Sequence, residues 1–322
     1  MKIRFDVSEL KTYKDCARKW ELSSRNAYHL RPRVISPNLT FGTLFHEGLH
    51  ALYAAAEPNV DGILDTLLKE LEGDSVAQKV MTTMITGYYD EVLPGDKARF
   101  KVLDIERGFE FSIPELSKPD WVDDETGEVK VGDKVVACGS IDMIALDKET
   151  NEVWGFEHKS CKNFRTDVYH MLDEQPKMYY LALQGIVDQL NEERSAATTP
   201  VPMPYTLGGL YVNEVKKLST KFAYQRRMCK YSVRQLAKFY CGVLHHGAQI
   251  VKHTQTIEHT DLNLPTSPGY LKCAMCDYAN ICAQYGDEDT DLELLLDDFA
   301  EEYQVRETDH LDEKMERMVD EQ

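Results

Sequence analysis

The sequence predicts an α/β fold, a mixed β-sheet flanked by helices, with a helical insert near residues 50–95 and a cysteine-bearing cap toward the C-terminal end. Three features lead there. The centre is β-rich: residues 134–138 and 141–146, the turn DKETNE, and then residues 153–159 read as an antiparallel hairpin. Stretches with helical spacing of apolar residues flank it on both sides. Three cysteines then crowd into residues 273–282.

The elements follow in chain order. Residues 8–24 read as a helix, with Ser8 suited to the N-cap and Leu10, Tyr13, Ala17, Trp20 and Leu22 forming an apolar stripe. A Pro-containing stretch, residues 31–37, separates it from a second helix that starts near Gly42 and stops at Pro58. Residues 60–92 read as mostly helical and close at a Pro94-Gly95 turn, and residues 100–114 alternate as a strand would. Beyond the hairpin come a helix over 174–190, a strand over 208–214 and a long helix over 232–251. A loop with Pro265 and Pro268 leads into the cysteines, and no internal repeat is visible. The expected segments are 1–40 (first helix and Cys16), 41–262 (core with its insert), 263–286 (cysteine cap) and 287–322 (acidic tail).

No run of 18 apolar residues offers a membrane span, and the opening MKIRFDVSELKTYKDC lacks the apolar core of a signal peptide. The expectation is a cytoplasmic protein of a bacterial or phage-infected host cell. There, eight cysteines serve metal binding or lie as buried thiols rather than forming disulfides. The net charge of −18 argues against a nucleic-acid partner until its distribution is read. Residues 287–322 hold 16 acidic and 3 basic residues, a net −13, which leaves only −5 on the body and marks the tail as mobile or partner-binding. Within the body, Arg18, Lys19, Arg25, Arg31 and Arg33, and later Lys216, Lys217, Lys221, Arg226, Arg227 and Lys230, allow a local basic groove.

The chemistry concentrates at Asp142, Glu157 and Lys159. Residues two apart on a strand share a face, so Glu157 and Lys159 project together while Phe156 and His158 point the other way. Asp142, on the partner strand, can join the Glu157 face. Two carboxylates and an ammonium among apolar residues are costly without a counter-ion. A divalent cation with hard oxygen ligands, Mg²⁺ or Mn²⁺, resolves the cost. Such a site suits phosphodiester hydrolysis, in which Lys159 would orient the attacking water or stabilise the transition state. Cys273, Cys276 and Cys282 form C-x₂-C-x₅-C, one thiolate short of a tetrahedral site, with Cys16 far upstream as a candidate fourth; four thiolates fit Zn²⁺ or an iron–sulfur cluster. Residues 46–50 also spell H-E-x-x-H, which on a helix sets His46 and His50 on one face as in a zinc metallopeptidase, with Glu47 as base. That reading leaves Asp142, Glu157, Lys159 and the cysteines unexplained. A third possibility is a DNA-binding assembly protein without catalysis.

The hairpin carrying GSIDMI and then GFEHKS resembles the PD-(D/E)xK nuclease superfamily, in the branch of RecB, the AddB subunit and the CRISPR adaptation nucleases. GTLFHEGLH, EQPKMYY and SELKTYKDCARKW resemble further motifs of that branch, in its order, over roughly residues 8–282. The resemblance implies a restriction-endonuclease-like core and metal ligation by His46, Asp142, Glu157 and the backbone carbonyl of His158. It also implies Gln175 and Tyr179 beside the DNA path, and a [4Fe–4S] cluster on Cys16, Cys273, Cys276 and Cys282 rather than zinc. Glu106 matches an acidic strand position only loosely, and Arg18 is a candidate DNA contact. The implied activity is a stand-alone, Mg²⁺- or Mn²⁺-dependent DNA exonuclease. It would act on single strands or duplex ends in recombination, repair or replication, beside a helicase or recombination partner protein. No G-x-x-x-x-G-K-[ST] motif supplies a motor.

Overall fold

The computed structural model describes residues 1–34, 36–122, 129–197, 203–256, 264–284 and 299–306. In chain order these form β1 (Lys2–Phe5), α1 (Val7–Asp15), α2 (Ala17–Ser23), β2 (Leu30–Pro32), α3 (Pro37–Ala54), α4 (Val60–Glu70), α5 (Ser75–Glu91), α6 (Leu93–Arg99), β3 (Phe100–Ser112), β4 (Trp121–Val122), β5 (Val129–Lys130), β6 (Lys134–Asp147) and β7 (Glu152–Cys161). There follow α7 (Asp167–Leu172), α8 (Gln175–Ala197), β8 (Thr206–Lys216), β9 (Tyr224–Cys229), α9 (Val233–Thr256), α10 (Tyr270–Ala274), α11 (Ala279–Gln284) and β10 (Tyr303–Val305).

The chain divides into two compact units. The first comprises residues 1–35, 110–139 and 237–322; the second comprises 36–109 and 140–236. The fold is α/β, a mixed sheet flanked by helices. In the second unit β6, β7, β8 and β9 lie side by side, with β7 and β8 parallel and the outer two pairs antiparallel, and β3 also pairs with β6. Most residues of β7 and β8 are buried, as expected of strands covered on both faces. The helical insert supplies one cover. On α3, Phe41, Leu44, Phe45, Gly48, Leu49 and Leu52 recur at helical spacing. With α4 and α5 they pack on Met143, Trp154, Phe156 and Tyr211 of the sheet. Gly48 permits the close approach, since a Cβ there would sit 2.7 Å from Ile85 Cδ1 and 2.8 Å from Leu67 Cδ1.

In the first unit β1 runs parallel to the opening of β6, Lys2 opposite Lys134. A separate apolar cluster joins Leu22 and Leu30 to Tyr278, Ile281, Phe299 and Tyr303.

Several elements differ from expectation. The first helix is two helices divided at Cys16, whose backbone is extended (φ −161°). Its N-cap is Asp6, which accepts from the Glu9 N–H at 2.8 Å, so the helix begins at Val7 and encloses Ser8. The second helix begins at Pro37, ahead of Gly42. Pro94-Gly95 is no turn: Pro94 lies in the first turn of α6, where its missing N–H costs nothing. Strand β9 had no counterpart among the expected elements. Of the tail, residues 287–298 and 307–322 lie outside the described residues, but 299–306 are docked. Strand β10 pairs antiparallel with β2, and the Tyr303 hydroxyl donates to the Asp277 carbonyl at 2.6 Å.

Candidate active site

Strand alternation sets the two sides of the site. The β6–β7 register pairs Met143 with Phe156, so Asp142 lies opposite Glu157 on one face. On that face, Gln175 of α8 donates from Nε2 to Glu157 Oε1 at 3.0 Å and to the Tyr179 hydroxyl at 2.9 Å. On the other face Phe156 and His158 enter the insert's core, where His158 stacks on Tyr53 of α3 at 5.9 Å. The helices α3 and α8 therefore cover opposite faces.

The predicted residues meet. Lys159 Nζ pairs with Glu157 Oε1. Asp142 Oδ2 accepts the His158 backbone N–H at 2.6 Å and lies 3.4 Å from His46 Nδ1. Glu157 is only 4% exposed, and its Oε2 is buried with no hydrogen bond from any described residue. Burial, and then the nearby Asp142 carboxylate, push the Glu157 carboxyl up to about 7, against the pull of Lys159. Burial works the same way on Asp142, but His46, His158 and Lys159 outweigh it and hold that carboxyl well below the usual range. Burial pushes His158 down to about 4. His46 and Lys159 each lose to burial, but the carboxylates more than restore them and raise both.

A cavity of ≈ 10 Å³, room for about one water-sized species, is bordered by His46, His50, Tyr53, Glu106, Asp142 and His158. His50 and Glu106 thus border the same space, although the family resemblance assigns His50 no role and matches Glu106 only loosely. Helical i, i+4 spacing brings His50 beside His46. Glu106 adopts a left-handed backbone (φ 54°) within β3, a conformation uncommon for glutamate. Glu47, the base of the peptidase reading, is exposed.

Among the described residues, no three or more His, Cys, Asp or Glu side chains are gathered closely enough to hold a metal ion as they stand. At the hairpin, Glu157 faces Lys159 and Asp142 is taken up by the His158 N–H and His46. The donor chemistry nevertheless fits a divalent cation: two apposed carboxylates, one forced toward its neutral form with an orphaned buried oxygen.

In the first unit, Cys16 sits in the break between α1 and α2, Cys273 on α10 and Cys282 on α11. Cys276 and Cys282 pack on the apolar cluster of that unit. Burial raises the Cys282 thiol, Arg18 opposes this, and Cys16, Cys276 and Cys273 raise it further, yet among the described residues no three of these cysteines gather closely enough to hold a metal as they stand. The basic groove fares less well. Arg18 is 4% exposed, 3.4 Å from Glu21, and donates to the Leu264 carbonyl. Arg25 bonds Asp6, Arg33 bonds the Ala300 carbonyl of the tail, and Arg226 grips Asp96 through both terminal nitrogens. These arginines are spent on internal partners.

No helix among the described residues is long and apolar enough to cross a membrane. No curated protein matches the chain. A solved structure described as "Crystal structure of SSO0001" shares 13% identity, covering 85% of this chain and 94% of the other, at a TM-score of 0.27. Compared with protein families, residues 4–283 match the PD-(D/E)XK nuclease superfamily, whose members are generally metal-dependent. The chain belongs to the PD-(D/E)XK nuclease superfamily.

Proposed function

We propose that the protein is a Mg²⁺- or Mn²⁺-dependent DNA exonuclease of the RecB-like kind, acting on single strands or duplex ends. The observation that supports this best is the buried Glu157 carboxylate, its Oε2 without a donor among the described residues, beside Asp142 and Lys159. His46, Asp142, Glu157 and the His158 carbonyl would hold the cation. A bound cation supplies charge neutralisation for the scissile phosphate and lowers the pKa of a coordinated water.

The chain's own residues do the rest. Lys159, once released from Glu157, orients the attacking water or meets the charge that develops on phosphate. Gln175 holds the Glu157 carboxylate in place through its 3.0 Å hydrogen bond. Tyr179 accepts from the same amide, which links the helix α8 to the reacting face. The His158 N–H fixes Asp142.

Cys16, Cys273, Cys276 and Cys282 are proposed to bind a [4Fe–4S] cluster, with Zn²⁺ as the alternative. A helicase or recombination protein is the proposed partner, since the chain carries no nucleotide-driven motor motif. The test is degradation of end-labelled DNA with Mg²⁺ or Mn²⁺ by the natural chain, Glu157→Ala and Glu47→Ala. Loss of activity in the first variant alone supports the nuclease. Loss in the second alone, or no degradation by any, refutes it.

A further inference from the structure

Asn213 on β8 is fully buried, and the direction of each hydrogen bond around it follows from a group that can only donate. Arg226 Nε donates to Asn213 Oδ1 at 2.8 Å, and the Tyr224 hydroxyl donates to the same oxygen at 2.9 Å. The amide oxygen is thereby fixed. Asn213 Nδ2 then donates to the Tyr88 hydroxyl and to His158 Nδ1, each at 3.2 Å. A ring nitrogen that accepts carries no proton, so the His158 proton resides on Nε2.

The arrangement is over-determined. Arg226 Nη1 and Nη2 each lie 2.6 Å from an Asp96 oxygen. Asp96 accepts from the Tyr53 hydroxyl, which therefore accepts from Tyr88 at 2.7 Å. The bonds close a ring from Arg226 through Asn213, Tyr88 and Tyr53 to Asp96 and back. The Tyr53 ring stacks on His158, and the Tyr88 ring meets it edge-on at 6.1 Å. The network ends on His158, which borders the cavity shared by His46 and Asp142.

We propose that Asn213 is a positioning residue that sets the His158 tautomer, leaving its imidazole no lone pair for a cation, so that His158 serves the site through its backbone alone. This rests on the metal-site reading above and deepens it by naming what reserves the site for oxygen donors and His46. An aspartate at 213 would still accept from Arg226 and Tyr224 but would offer His158 only acceptors. The ring would then donate from Nδ1 and free the Nε2 lone pair, a ligand that favours Zn²⁺ over Mg²⁺ or Mn²⁺.

The test has two arms on the full chain. In ¹⁵N-labelled protein, long-range ¹⁵N–¹H correlation of the histidine rings, with His158 assigned through contacts to the Tyr53 and Tyr88 rings, is expected to show the Nε2–H tautomer. A proton on Nδ1 overturns the proposal. In the second arm, calorimetry compares Zn²⁺ and Mn²⁺ binding in the natural chain, Asn213→Asp and Asn213→Ala. Asn213→Asp is expected to shift the Zn²⁺ to Mn²⁺ affinity ratio by about 10-fold or more toward Zn²⁺. Equal weakening of both ions in both variants, tracking lost thermal stability, means a structural role only and overturns it. If Asn213→Asp does not fold, the spectrum of the natural chain still decides. If the natural chain binds no divalent cation, the active-site reading fails, while the tautomer stands or falls by the spectrum.

Discussion

Replacing Glu157 by Gln is expected to stabilise the metal-free protein and to remove most of its stabilisation by Mn²⁺. The folded-state carboxyl titrates at about 7 against an ordinary 4.5, because it is buried and faces Asp142. A carboxyl raised in this way binds its proton more tightly folded than unfolded. Its penalty is absent below pH 4.5, grows as pH rises through the window between 4.5 and 7, and is complete above it. At about 1.36 kcal/mol per pH unit, that gap amounts to about 3 kcal/mol at pH 8. The glutamine keeps the volume and an acceptor for Gln175, while Asp142 remains near Lys159. In thermal melts with EDTA, Glu157→Gln should melt roughly 4–5 °C above the natural chain at pH 8 and close to it at pH 5. Saturating Mn²⁺ should close the gap by raising only the natural chain. The reasoning is refuted if the variant melts lower than the natural chain by the same margin at both pH values, or if Mn²⁺ raises both equally.

Further outcomes are expected. Lys159→Met should lower the single-turnover rate of DNA cleavage by roughly 10²–10⁴-fold while DNA affinity changes only a few-fold; an affinity loss of matching size would make Lys159 a binding residue. A chain ending at Gly286 should be less stable to urea than one ending at Arg306, because it loses the buried Phe299 and Tyr303 and the pairing of β10 with β2. Each ring contributes about 1.5–3 kcal/mol of burial, so equal midpoints would contradict the docked strand. Purified without oxygen, the natural chain should carry iron and visible absorption, and Cys276→Ser should lose both; zinc without iron would replace the cluster with the alternative metal.

Much of the site was legible because its logic is local. Strand alternation alone separates Glu157 and Lys159 from Phe156 and His158, and the DKETNE turn fixes which strands pair. The helical face of α3 was equally visible in its apolar spacing. What escaped is non-local. Arg226 looked like part of a basic surface, since nothing near it in sequence announces Asp96, its partner 130 residues away. Arg18 misled in the same way, being paired within its helix and bonded to Leu264 far along the chain. No Gly or Pro marks the break at Cys16, and Asp6 and Ser8 are both good caps, so only the hydrogen bond to Glu9 decides between them. The role of Asn213 is invisible in sequence, because four partners from three other elements meet at one buried amide. The docked strand β10 was hidden by the charge density around it: two aromatics in an acidic run outweigh their neighbours once they reach an apolar cluster.

The most direct measurement is Mn²⁺ binding followed by electron paramagnetic resonance of the free ion, on the natural chain and on Asp142→Asn, Glu157→Gln and Glu47→Gln. Saturable binding that Asp142→Asn and Glu157→Gln abolish, and Glu47→Gln leaves intact, is the expected result. Mn²⁺ binding unchanged by loss of either hairpin carboxylate would contradict a cation held between β6 and β7.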